Sequence, residues 1–148
     1  SQWVSDNADA CVLWCLGIRH AILTGELDLL GQLDAIPAER RDRWRAFTEE
    51  ALAPGAQPRD FSQQTGWVVR AYQGALAAIA GASSLADALE RAVRGGGDTD
   101  TVAAIAGSLA GAVHGSRALP AALVETVHGW PGLRSGDLEA LVDAAVVI

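Results

Sequence analysis

Apolar residues recur at three- and four-residue spacing in segment after segment of this 148-residue chain. No run alternates with the period of two that marks a half-buried strand. That pattern restricts the chain to packed helices. Residues 9–24, closed by Gly25, set Ala10, Leu13, Trp14, Gly17, Ile18 and Ala21 on one face. Residues 39–52 follow Pro37, which suits a first helical position, and turn Trp44, Phe47 and Leu52 inward. The stretch 53–62, with Pro54, Gly55 and Pro58, is the clearest loop. Residues 65–80 carry Trp67, Val68, Ala71, Tyr72, Ala75, Leu76 and Ile79 on one stripe. Ser83 or Ser84 caps a helix over 85–93, with Asp87 close to the amino end, as the helix dipole prefers. A glycine-rich break then leads into an apolar helix ending near His114-Gly115. Pro120 starts a short helix through about His128, and Ser135 or Asp137 starts the last one, through Val146. The expected class is all-α, in one domain over 1–148, with no internal repeat.

Composition agrees with a helical core. Half of the residues are hydrophobic, while strand-favouring Tyr and Phe number one and two. Net charge is -7 and every basic residue is Arg. Such an acidic chain lacks the clustered positive charge that nucleic-acid backbones require, so no nucleic-acid partner is expected. Arg40, Arg41, Arg43 and Arg45, set among Asp42, Glu49 and Glu50, predict a solvated helix face. The most apolar stretch, 101–115, is shorter than the ~20 residues that span a bilayer, and no membrane partner is expected. The amino terminus shows no basic stretch followed by an apolar run, so no leader is expected. Cys11 and Cys15 stand one helical turn apart amid Val12, Leu13, Trp14 and Leu16. They are expected as reduced thiols on a buried helix face, which predicts a reducing compartment, the cytoplasm.

The segment Gly95-Gly96-Gly97-Asp98-Thr99-Asp100-Thr101 stands apart. Glycines permit positive φ and close approach to the backbone. These deliver two carboxylates and two hydroxyls into the first turn of a helix, an oxygen donor set that hard divalent cations prefer. The free N–H groups there also suit an anion. An ordinary helix cap by Asp98 explains the same residues, and both readings stay open. A phosphate-cradling P-loop needs Lys, which is absent, and a calcium loop needs an oxygen ligand where Val102 stands. His114 and His128 suit a helix end and a surface position better than acid-base roles.

The run Gly96-Gly97-Asp98-Thr99-Asp100-Thr101-Val102-Ala103-Ala104-Ile105-Ala106-Gly107, then Leu109-Ala110-Gly111-Ala112 and Gly115, resembles the metal-binding signature of the ADP-ribosylglycohydrolases. Upstream, Thr65-Gly66-Trp67-Val68-Val69 is similar to a Thr/Asn-Gly-aromatic-Val-Val segment of that family. Ala10-Cys11-Val12 through His20-Ala21 and Thr24-Gly25 is similar to the helix after its Thr-His segment. The resemblance implies that Asp98, Asp100 and Thr101 hold two divalent cations, Mg²⁺ or Mn²⁺. It also implies that Gly96, Gly97 and Trp67 lie against an ADP-ribosylated substrate. For Trp67, stacking on the ligand and an ordinary core position both stay open. Gly107 and Gly111, at one-turn spacing, are expected to bring their helix close to a neighbour.

The implied fold is an orthogonal multi-helix bundle, of which this chain is the carboxy-terminal half. The implied activity is hydrolysis of the glycosidic bond of ADP-ribosylated side chains or related compounds. The family's first half contributes a Thr-Asp-Asp ligand set and the catalytic acid, so a complementary amino-terminal half is the expected partner. No residue of this chain is assigned to catalysis. Ser1 and Gln2 stand where the family carries Thr and His. That departure supports an alternative, a non-catalytic ADP-ribose-binding or interaction domain.

Overall fold

Nine consecutive residues, 71–79, have no face turned to solvent. The computed structural model describes residues 2–64 and 66–146, with side chains from residue 5 onward. It is all-α, as expected, apart from one two-stranded hairpin. Helices α1 (Gln2–Thr24), α2 (Ala38–Leu52), α3 (Val68–Ala80), α4 (Leu85–Arg94) and α5 (Thr99–His114) form the first of two compact units, residues 1–118. Short 3-10 turns at Leu30–Ala35, Pro58–Phe61 and Ser116–Ala118 join or follow them.

The buried stretch belongs to α3, which packs on α1, α2, α4, α5 and the Pro58–Phe61 turn. The expectation of a single apolar stripe on α3 is therefore corrected. Gly74, Ala75, Ala77 and Ala78 occupy what would have been its outer face, and residues this small can be enclosed by neighbouring helices. Trp67 is also corrected. It has extended backbone (φ -90°, ψ 121°) and precedes α3 as its N-cap residue. The expected helix start at Thr65 lies outside the described residues. Pro37 likewise stands just before α2 rather than inside it, with Ala38 the first helical residue.

Aromatic rings run through this core edge to face. Trp14 meets Tyr72 at 5.3 Å, Tyr72 meets Trp44 at 5.2 Å, Trp44 meets Phe47 at 5.8 Å, and Phe47 meets Trp67 at 6.0 Å. Each contact of this kind is worth about 0.5–1.5 kcal/mol beyond its buried area. Thr48, Tyr72 and Gln73, enclosed with them, are paired. Thr48 Oγ1 lies 2.9 Å from the Tyr72 hydroxyl, and Gln73 Nε2 donates to the Phe47 carbonyl (3.1 Å) and to Glu50 Oε2 (2.6 Å).

The α4–α5 pair tests the two spaced glycines. A Cβ on Gly107 would lie 3.1 Å from Leu89 Cδ2, so this position does allow close approach. A Cβ on Gly111 would meet nothing within 4 Å, and the expectation for that residue is corrected.

The second unit, residues 119–148, holds α6 (Ala121–Thr126), β1 (His128–Gly129), β2 (Leu133–Arg134) and α7 (Ser135–Ala145). The strands pair antiparallel, His128 opposite Arg134 and Gly129 opposite Leu133. The short helix thus stops at Thr126, before the His128 end that its sequence suggests, because 127–134 forms a hairpin turning through Trp130-Pro131 and Gly132 (φ 126°). Two-residue strands are too short to show alternation, so the sequence pattern did not reveal them. Among the described residues, no helix is long and apolar enough to cross a membrane.

Candidate functional site

The glycines of the 95–97 triplet answer two steric demands. Gly95 packs on Pro58, whose Cβ would stand 2.7 Å from any Cβ added at that position. Gly96 (φ 81°) and Gly97 (φ 76°) adopt left-handed backbone that side chains with a Cβ disfavour. The turn is closed by main-chain bonds, Gly95 N–H to Arg91 O (3.0 Å) and Thr99 N–H to Gly97 O (3.0 Å). It delivers Asp98 to the N-cap position of α5.

Asp98 does not act there as a side-chain cap, since its carboxylate accepts no capping hydrogen bond from the first turn of α5. It meets Asp100 instead. That hydrogen bond is the largest influence holding the Asp100 carboxyl below its usual range, followed by the backbone N–H groups of Thr101 and of Asp100 itself. Asp98 is half-buried, whereas Asp100, Thr101, Gly96 and Gly97 are exposed. Of Thr101, it is the backbone N–H that faces the Asp100 carboxyl. Among the described residues, no group of three or more His, Cys, Asp or Glu gathers where a metal could be held.

Helical spacing puts Asp98, Thr101, Ile105 and Ser108 on one stripe of α5. Ser108 Oγ accepts the Trp14 indole N–H at 3.2 Å. Ile105 lines an open apolar cavity of about 180 Å³ together with Ala10, Cys11, Trp14 and Cys15 of α1 and Val68 and Tyr72 of α3. Along this stripe Thr101 lies about one helical turn and Asp98 about two turns from Ile105. Neither Trp67 nor Gly96 nor Gly97 lines it. Trp67 is half-buried beside it in sequence, with its indole N–H directed to Asp6 Oδ2 at 3.3 Å.

Cys11 and Cys15 are free thiols and both are exposed, which corrects their expected burial. The stripe of α1 that packs inward runs through Ala10, Leu13, Trp14, Gly17 and Ala21, and the two thiols flank it at the cavity.

An acid pair escaped the sequence reading. Asp6 and Asp9 are 2% and 6% exposed, yet they sit on the inward face of α1. Arg43 binds Asp6 through Nη1 to Oδ1 (2.8 Å) and Nη2 to Oδ2 (3.1 Å), Arg40 donates to both acids, and the Trp44 indole N–H donates to Asp9 Oδ2 at 2.8 Å. The expected solvated face of α2 is thus corrected for Arg40 and Arg43, which turn onto α1. Extending the α1 apolar stripe backwards in steps of three and four reaches both positions, and a charge on such a stripe was the available signal.

The family these features point to is matched along nearly the whole chain. The ADP-ribosylglycohydrolase family pattern aligns with residues 4–147, and the chain belongs to that family. Among individual proteins it is similar to ADP-ribosylarginine hydrolase Tri1 of Pseudomonas putida (strain GB-1), with 34% identity over 129 residues. That likeness covers 84% of this chain and 33% of the relative, so the chain spans about a third of that protein's length. No solved structure matches the chain.

Proposed function

We propose that this chain is the carboxy-terminal, cation-holding part of a hydrolase that splits the glycosidic bond between ADP-ribose and a protein side chain. The observation carrying this reading is the meeting of the Asp98 and Asp100 carboxyls at the start of α5, on a turn that only glycines at 96 and 97 hold without strain. Family membership supports the reaction class. The relative's name makes ADP-ribosylated arginine the first substrate to try.

An all-oxygen set of two carboxylates and the Thr101 hydroxyl fits Mg²⁺ or Mn²⁺. In this reading Asp98, Asp100 and Thr101 hold two such cations jointly with ligands from a complementary amino-terminal half. Bound there, the cations supply Lewis acidity and orientation for water. The chain's own groups do the rest by position. Asp100 is held below the usual carboxyl range by its neighbours, and Gly96 and Gly97 leave the turn open to a phosphate or ribose. Trp67 offers an aromatic surface whose indole N–H is already fixed by Asp6. The free thiols of Cys11 and Cys15 support a cytoplasmic setting.

The test is calorimetric titration of Mg²⁺ and Mn²⁺, with and without ADP-ribose, into this chain alone and combined with the amino-terminal half. Tight binding is expected in the combined sample and is expected to vanish in the Asp98→Asn, Asp100→Asn double variant. Absence of binding in both samples would defeat the metal reading. The second reading, a non-catalytic ADP-ribose-binding domain, is favoured by the incomplete ligand shell of the described residues. It is separated by ADP-ribose binding that persists in the double variant.

A further inference from the structure

We propose that Cys11 and Cys15 form a two-sulfur site for a soft monovalent cation, Cu(I), at the mouth of the apolar cavity between α1, α3 and α5. Both thiols are free and exposed, and both line the same cavity of about 180 Å³. Residues four apart on a helix place their Cβ atoms about 5–6 Å from one another, a span that one metal ion can bridge between two side-chain sulfurs. The remaining lining residues are Ala10, Trp14, Val68, Tyr72 and Ile105. Trp14 Nε1 is committed to Ser108, and the Tyr72 hydroxyl lies 2.9 Å from Thr48 Oγ1. Two sulfurs are therefore the donors these lining residues offer.

That count selects the ion. Zinc asks for four ligands and hard divalent cations ask for oxygen, whereas thiolates favour Cu(I), which is satisfied by few ligands. On ligation each thiol gives up its proton, so one Cu(I) joins two thiolates and two protons leave to solvent. The Trp14 ring lines the same cavity. The site is separate in chemistry from the oxygen cluster at Asp98 and Asp100, and it stands whether or not that cluster holds a cation.

The test is an anaerobic titration of the chain against a chromophoric Cu(I) chelator, following colour loss. Withdrawal of one Cu(I) per chain is expected, with the sedimentation coefficient of the chain unchanged on loading. Competition is expected to be lost in Cys11→Ser and in Cys15→Ser alike, and excess Mg²⁺ is expected to leave it unchanged. Far-ultraviolet circular dichroism, with Cys11→Ala and Cys15→Ala as a second pair, separates loss of ligand from loss of fold. Failure to compete with the chelator would overturn the proposal. So would retention of uptake by either single variant, Cu(I) bridging two chains, or displacement by Mg²⁺.

Discussion

The Trp67 indole N–H lies 3.3 Å from Asp6 Oδ2, joining the residue that precedes α3 to a carboxylate buried on α1. The same carboxylate takes two bonds from Arg43 and one from Arg40, so the entry to α3 is tied to α1 through the charges of α2. Removing the acid leaves both guanidinium groups and the indole without their shared acceptor. Loss of one partner of a buried ion pair costs about 3–5 kcal/mol, and the partial exposure of Arg40 and Arg43 lowers that. Asp6→Ala is expected to destabilise by about 2–3 kcal/mol in urea unfolding. Arg43→Ala, which leaves Arg40 on the acid, should cost about 1 kcal/mol. Equal stability of Asp6→Ala and wild type would show the network to be inert.

Tyr72 is enclosed by Trp14, Trp44 and Thr48. Burial pushes its phenol up from 10.0 to about 12, against a smaller opposing effect of the Thr48 hydrogen bond. The folded state keeps the proton across a range where the unfolded chain releases it. Stability from this group is therefore complete below pH 10 and falls as pH rises toward about 12, by about 1.4 kcal/mol per pH unit. An ultraviolet titration of the phenolate band should show no ionisation near pH 10 while the chain stays folded. Tyr72→Phe should remove that slope from the stability profile.

Glycines of α5 and its entry turn should respond to alanine in three different ways. Gly111 has open space where a Cβ would go, so Gly111→Ala should stabilise by up to about 1 kcal/mol through helix propensity alone. Gly107→Ala presses on Leu89 Cδ2 and should gain less than Gly111→Ala or lose stability. Gly96→Ala, at φ 81°, should cost about 1–2 kcal/mol despite its free surroundings. Thermal melting of the three variants gives the order directly, and a destabilised Gly111→Ala would contradict the packing described for α5.

Ser84 caps α4, its hydroxyl accepting the Asp87 N–H at 3.1 Å, while Asp87 Oδ2 accepts the Ser83 N–H at 2.8 Å. Ser84→Ala should cost about 1 kcal/mol. The Asp87 carboxyl is held below its usual value of 3.8, chiefly by the Ser83 backbone N–H. A lowered folded pKa means a contribution present above the unfolded value and lost as pH falls through the folded one. Asp87→Asn should therefore lower stability at neutral pH and converge with wild type in acid. Parallel acid-unfolding curves for the two proteins would count against this cap.

What could be read directly from the residues is what neighbours in sequence decide. Gly25 and Gly115 end α1 and α5, Ser84 opens α4, and the glycine turn opens the helix that carries Asp98 and Asp100, each because caps and φ preferences act over a few residues. The three- and four-residue apolar spacing was enough for an all-α fold, and the run around Asp98 was enough to suggest the family. Tertiary packing decided the rest. Whether Arg40 and Arg43 face water or bind Asp6 depends on where α1 lies against α2. Whether Cys11 and Cys15 are covered depends on how closely α3 and α5 approach α1, and there they leave a cavity. The enclosure of α3 on every side, and with it the burial of Thr48, Tyr72 and Gln73, likewise follows from helices distant in sequence. Periodicity shows which residues share a face, but burial is the loss of water to another element, and no single segment contains that partner.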